Sequence, residues 1–436
     1  MVLSPARRSR LSLFVVVGTA ALVMGMGSFG VAVAAPTLAT SAPAAPSLLP
    51  LAQPFLNTIA VGAPLHPSHS GGGGGGSSCA TTLPTPNGVA YTPSELQTAY
   101  SFNLADTGAG ETIAIIDAYG SPSLSSDLAC FDQVFRLPAP SLTVVTPFGS
   151  VHGKNTGWGL ETSLDVEWAH AMAPAAAILL IVTPSSSLTY LINDAVPYAV
   201  AHGANVISMS WGAAESSLGC ATENSESTYF ANAAAAGTIL VGASGDSGAN
   251  DGTSAPTVDY PAADPNVVGA GGTTLTTTPT GTWGSEVVWN DASGATGGGV
   301  SACFSEPSYQ SNAGIQVTTA AGSSTPTGRA VPDVGYDASP YTGVWVYDTS
   351  GYSGWVQVGG TSAAAPQWSA IFADALPGAT APLNGGSVHV LLYGFIGTVN
   401  VHDITSGNNG YYYASPGYDA CTGIGSPVES DVITAL

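Results

Sequence analysis

Ser362 stands in "GGTSAAAPQW" (359–368), between a Gly-Gly-Thr turn and a run of small residues that reads as a helix start. A serine hydroxyl is a weak nucleophile until a base takes its proton, and histidine is the commonest base. The chain's histidines are His66, His69, His152, His170, His202, His389 and His402, and none stands in a His-Gly-Thr-His type of setting. Carboxylates offer a better candidate. In "GWGLETSLDVEWAHAMAPAA" (157–176), Glu161 and Asp165 are four residues apart, so on a helix they share a face, one turn apart. Alone, such a pair reads as solvated surface. Beside a serine that lacks a histidine it reads differently, because an imidazole is already protonated in acid whereas a carboxylate can still accept a proton. Glu161 is then the candidate base, with Asp165 holding it and sharing the proton. A third acid, Asp246 in "VGASGDSGAND" (241–251), follows a buried apolar run. Protonated, it could donate a hydrogen bond to an oxyanion; by itself, an Asp between glycines is ordinary turn chemistry.

These residues need a scaffold that brings distant segments together. "TIAIIDAYG" (112–120), "AAILLIVTP" (176–184), "NVISMSWG" (205–212) and "GTILVGASGDSG" (237–248) are short, β-branched and end in small or polar residues, which predicts buried strands. Helical patterns over 159–173, 187–203 and 223–237 alternate with them. That alternation predicts an α/β fold, a mainly parallel central sheet flanked by helices on both faces, with working residues at the carboxyl ends of the strands. "GVWVYDTSGYSGWVQVGG" (343–360) predicts a hairpin leading into Ser362. The Gly- and Thr-rich stretch 249–330 reads as loops and short strands.

Residues 1–34 carry Arg7, Arg8 and Arg10, an apolar stretch and an Ala-Val-Ala site at 32–34, the pattern of a cleaved secretory leader. Residues 35–78, rich in Ala, Pro, Ser and Gly, read as a low-complexity linker or short pro-segment, which leaves 79–436 as one large domain. A secreted protein, free of the membrane after cleavage and monomeric, is expected. The 436-residue chain has 28 acidic residues against 6 Lys and Arg, a formal net charge of −22. Past the leader only Arg136, Lys154 and Arg329 are cationic. Such a polyanion excludes nucleic acid as a partner, and its composition suits an acidic exterior, where carboxyls become neutral and few cations remain to repel one another. The five cysteines, Cys79, Cys130, Cys220, Cys303 and Cys421, allow at most two disulfides in an exported protein. Their spacing does not suggest zinc.

Taken in order, "ETSLD", "SGDSG" and "GGTSAAAP", with "HDITSGNNG" and "SPGYDACTGIGSP" near the end, resemble the motifs of the sedolisin family of serine-carboxyl peptidases. The resemblance runs from "YTPSELQTAYSF" at 91 to the C-terminus. It implies a subtilisin-like fold and peptide-bond hydrolysis at acidic pH, acting on protein or peptide substrates through an acyl-enzyme. Ser362 would be nucleophile, Glu161 base, Asp165 its partner and Asp246 the oxyanion acid. It also implies a Ca²⁺ loop with the side chains of Asp403 and Asp419 and the carbonyls of Ile404, Ser415 and Gly417; oxygen-only ligation suits that ion. By the same resemblance Asp117 would extend the carboxylate network and Trp211 would pack beside it and line the cleft. Where the family carries a large folded pro-domain, only the stretch 35–78 stands here. The competing readings are an inactive secreted relative that serves as a binding or surface module, and a glycosidase. Two acids one turn apart on one helix are poorly placed to flank a sugar.

Overall fold

The structure, a computed structural model, describes residues 51–60, 79–151, 155–380 and 382–436. The expected leader, the hexaglycine run, His66, His69, His152 and Lys154 lie outside the described residues.

The four apolar runs form the strands Thr112–Ala118, Ala177–Thr183, Val206–Met209 and Ile239–Ala243. With Ser141–Val145, Val268–Thr277, Trp283–Val288 and Val334–Asp337 they build an eight-stranded sheet. Its pairings are parallel except at the edge, where Trp283–Val288 runs antiparallel to Val268–Thr277. Successive side chains point to opposite faces. Ile113 and Ile115 join Leu164, Trp168 and Ala364 in one core, while Ala114 and Ile116 join Leu191, Ile207 and Phe230 in the other. Burial on both faces is why these strands read as unbroken apolar runs.

On the first face lie the helices Thr156–Met172 and Thr361–Ala375, packed against each other; Ala195–Ala201 and Cys220–Ala235 cover the second. Thr156–Met172 begins at Asn155, whose Oδ1 accepts the Trp158 N–H at 3.2 Å, satisfying one of the free donors of the first turn. Every residue from Trp158 to Met172 is buried. Its acids are therefore core acids, not the solvated stripe that an acidic helix usually presents.

The chain lays Ala177–Thr183 on one side of Thr112–Ala118 and then crosses to place Val206–Met209 on the other. Such a reversal of strand order opens a crevice at the carboxyl ends, here beside Asp117 and Ser210. The hairpin Val344–Asp348/Gly354–Gly359 forms in register Val346↔Val356 and delivers Thr361 to the same place.

One expectation is corrected. The stretch 249–330 is not only loops and short strands, since Val268–Thr277 is a ten-residue strand of the main sheet. Residues 51–60, inside the stretch read as a linker or short pro-segment, add strand pairs to the folded domain at Gln53–Pro54 and Asn57–Ile59. They build no core of their own and borrow edges that the domain already offers.

Disulfides join Cys79 to Cys130 and Cys220 to Cys303, and Cys421 is a buried thiol. Arg329 is wholly buried and pairs with Asp333. It holds that carboxyl below the usual range against the upward push of burial, with help from His389. No helix among the described residues is long and apolar enough to cross a membrane.

Candidate active site

Gly360 precedes the helix of Ser362 with φ +113°, a conformation open to glycine and strained for other residues. Ser362 sits in the first turn, so its backbone N–H has no acceptor within the helix. Pro366 lacks the N–H that would bond the Ser362 carbonyl four residues back. That carbonyl instead accepts from Ser210 Oγ at 3.4 Å.

Glu161 faces the serine from the neighbouring helix and is fully buried. Neither of its oxygens has a regular hydrogen-bond partner, and the Ser362 hydroxyl is turned to the Ser210 carbonyl at 3.0 Å. Burial, then the charges of Asp165 and Asp117, lift the Glu161 carboxyl well above the usual range. The nearby Ser362 hydroxyl pulls it the other way. Asp165 accepts from Ser210 Oγ at 2.7 Å; burial and then Asp117 raise it well above the ordinary value too, and the Ser210 hydroxyl opposes this. Asp117, at the end of its strand, is buried without a regular partner and is pushed up to about 7 by burial. Three acids in one dry site cannot all ionise, so they titrate as a group.

Asp246 enters from the opposite side. Its Oδ1 accepts from the Thr361 N–H at 2.8 Å and Thr361 Oγ1 at 2.9 Å, and its Oδ2 from Asn57 Nδ2 at 2.9 Å. Burial raises it to about 7 despite those donors. Asp246 is thus a carboxyl group that stays protonated up to near neutrality, next to the nucleophile's turn.

The structure brings Ser362, Glu161, Asp165, Asp246 and Asp117 together. Trp211 is placed only partly as expected. Its indole N–H donates to the Ile116 carbonyl at 2.7 Å, beside Asp117, but the ring is fully buried, so it supports the strand and its side chain does not line the cleft. Two participants went unread in the sequence, Ser210 and Asn57. Ser210 could have been found as a hydroxyl at the end of a buried strand, directly before Trp-Gly. The described histidines lie elsewhere: His170 meets the Pro138 carbonyl, His202 the Tyr198 carbonyl, His389 the Val267 carbonyl, and His402 stacks on Trp283.

Near the C-terminus, Asp403 accepts the Gly417 N–H through both oxygens, at 3.2 and 3.0 Å, which sets its carboxylate against the 415–417 backbone. Asp419 is buried, with its Oδ1 accepting from the N–H groups of Cys421 and Thr422 and its Oδ2 from Thr422 Oγ1. Carboxylates and backbone carbonyls are the oxygen donors that a hard cation takes. Ile404 is buried directly after Asp403, and Ser415 Oγ donates to the Tyr418 carbonyl at 3.4 Å.

A parallel α/β sheet whose crevice holds a helix-borne serine against buried acids defines a subtilase-like scaffold with a serine–carboxyl site. In keeping with that, residues 151–382 match the model of the Subtilase family. The chain is 37% identical over 363 residues to Kumamolisin of Bacillus sp. (strain MN-32), covering 80% of this chain and 64% of that protein. To Sedolisin of Pseudomonas sp. (strain 101) it is 34% identical over 381 residues, covering 80% and 61%. The solved structure of Pseudomonas sedolisin, a serine-carboxyl proteinase complexed with pseudo-iodotyrostatin, matches with a TM-score of 0.70 and 31% identity, covering 80% of this chain and 98% of that one. The chain belongs to the sedolisin family. It spans somewhat under two thirds of the length of these two full-length relatives.

Proposed function

We propose that the protein is a serine-carboxyl endopeptidase that hydrolyses peptide bonds in proteins under acidic conditions outside the cell. The observation that carries this reading is the meeting of Ser362 with a buried acid cluster and no histidine among the described residues at the site. As Ser362 Oγ attacks a peptide carbonyl, its proton passes to Glu161, the member of the cluster that faces it. Asp165, tied to Ser210, spreads the charge that a deprotonated cluster carries. The oxyanion forms beside the Ser362 N–H and a protonated Asp246, which donates where a charged Asp246 would repel. Glu161 then returns the proton to the leaving amine, and water cleaves the acyl-enzyme by the same route in reverse. An intact set of nucleophile, base and oxyanion acid favours this over an inactive binding module.

The test is a pH–rate profile for casein digestion. The rate is expected to be highest in acid and to fall through neutrality, as Asp246, raised by burial to about 7, ionises and can no longer donate to the oxyanion. A rate that holds steady or climbs above neutrality would remove the reading.

Calcium is proposed for the C-terminal loop, held by the carboxylates of Asp403 and Asp419 and the carbonyls of Ile404, Ser415 and Gly417; it would fix that loop and take no chemical step. A chelator is then expected to lower the melting temperature, by about 3 kcal/mol of stability where free ion exceeds its dissociation constant a hundredfold. Melting curves that superimpose with and without chelator would exclude the ion.

A further inference from the structure

A cavity of about 580 Å³ lies between the C-terminal half of the helix Leu124–Phe135 and the start of the edge strand Ser141–Val145. That strand runs parallel to Ala177–Thr183, so the cavity sits at the amino ends of the strands, opposite the crevice that holds Ser362. Leu128, Leu137 and Leu142 give it apolar walls, and Asp132 and Arg136 are the charged groups in its lining. Apolar walls with a few convergent polar groups, at this volume, are the makings of a small-molecule site.

The fold does not provide for Asp132. It stands in the last turn of its helix, where the dipole disfavours an anion, and it is only 7% exposed. Its Oδ1 has no hydrogen-bond partner. The cationic group beside it, His170 Nε2 at 3.5 Å, is bonded instead to the Pro138 carbonyl at 2.9 Å. Burial lowers the His170 ring and lifts the Asp132 carboxyl to about 7. A buried acceptor that opens on a cavity calls for a donor from outside the chain.

Arg136 closes the helix in the left-handed region, with φ +61°. It is the one exposed Arg or Lys among the described residues, and it forms no ion pair with any of them. Asp132 is thus the buried end of the cavity and Arg136 its exposed end, with leucines between. The complement is an apolar molecule that carries an ammonium at one end and a carboxylate at the other. A fatty acid would satisfy Arg136 but set its tail against the buried carboxyl. An apolar amine would leave Arg136 unused.

We infer that this cavity is a second peptide site, remote from the catalytic crevice, which takes short apolar peptides by their termini: ammonium on Asp132, carboxylate on Arg136, side chains against Leu128, Leu137 and Leu142. Such peptides are what proteolysis releases, so describing the ligand as a product rests on the peptidase reading; the binding itself does not.

The experiment titrates the dipeptide Leu-Leu into the full chain carrying Ser362→Ala, at pH 6, by calorimetry. The substitution prevents hydrolysis, and the crevice is already filled by the chain itself, with the Phe55 carbonyl accepting the backbone N–H of residue 362 at 3.0 Å. One-to-one binding with a Kd of about 1 mM or tighter is expected. Asp132→Asn should weaken it about tenfold or more, since a buried charge contact is lost, and Arg136→Gln about threefold, since that contact is exposed. N-acetyl-Leu-Leu lacks the ammonium and should lose on the Ser362→Ala chain what Leu-Leu loses on Asp132→Asn, with no further loss when the two changes are combined. Should Asp132→Asn fail to fold, the acetylated probe makes the same comparison without it. No heat at about ten times the expected Kd, or equal affinity for Leu-Leu and N-acetyl-Leu-Leu, would overturn the inference. Binding that Asp132→Asn leaves unchanged would put the peptide elsewhere and overturn it too. None of these results touches the peptidase reading, which the casein profile tests with Ser362 in place.

Discussion

Ser362→Ala and Glu161→Gln are each expected to lower kcat/KM on a peptide substrate in acid by about 10⁴-fold or more. The two losses should not add in the double variant, because the nucleophile and its base act as a unit. Glu161→Gln keeps the shape of the side chain and removes only its ability to take a proton. Asp165 and Asp117 cannot substitute for it, since Glu161 is the acid that the Ser362 hydroxyl approaches and pulls downward. Asp165→Asn is expected to cost less, about 10²-fold, because it orients and buffers and does not touch the reacting hydroxyl. Initial rates with a fluorogenic peptide check all three, with circular dichroism showing that each variant is folded. Glu161→Gln retaining more than about a tenth of wild-type activity would remove glutamate from the role of base.

The second large effect is on stability. Burial raises the Asp117, Asp246, Glu226 and Glu429 carboxyls to about 7, and Glu223 and Asp374 to about 9. Their ordinary values are 3.8 for Asp and 4.5 for Glu. Between those limits the folded chain holds protons that the unfolded chain has released, so stability falls as pH rises. The loss begins near pH 4 and continues through 7 towards 9. Asp333 runs the other way: its depressed value adds stability at ordinary pH that disappears only in strong acid. One carboxyl against many leaves the balance clear. A carboxyl moved by three pH units corresponds to about 4 kcal/mol once it is forced to ionise, so the total loss should be several kcal/mol. Calorimetric melting is expected to show a maximum in acid and a fall of about 10 °C or more by neutrality. Glu223 is a useful probe, buried without partners for either oxygen and facing Glu215, Glu226 and Asp264. Glu223→Gln should raise the neutral melting temperature and leave the acid one almost unchanged. A melting temperature that is flat or rises from acid to neutral would contradict the account.

Much of this was readable from residues, and the failures have physical causes. The strands of Ile, Val and Leu announced themselves because burial on both faces leaves no room for polar alternation. The pair Glu161 and Asp165 was readable because helix geometry fixes where residues four apart point. The strand Val268–Thr277 was not, because "VGAGGTTLTT" looks like loop. Its glycines are there for close packing: a Cβ at Gly271 would come within 2.5 Å of the Pro332 ring, and one at Gly272 within 2.7 Å of the Ala338 Cβ. Asn57 and Phe55 were hidden for a different reason. A segment that borrows sheet edges carries no periodicity of its own, and its pairing partners lie more than 150 residues away along the chain. Trp211 was misjudged because sequence places a residue beside a cleft without telling which way its ring turns.

The scarcity of cations bears on how the protein withstands proteases that cut at basic residues. An enzyme that cuts after Lys or Arg would find, past residue 34, only Arg136, Lys154 and Arg329, and the last is sealed in the interior against Asp333. Even unfolded, the chain would give such an enzyme uncut stretches from 155 to 329 and from 330 to 436. The same property sets a practical rule for the bench: peptide mapping of this protein by mass spectrometry calls for a reagent that cuts at acidic or aromatic residues.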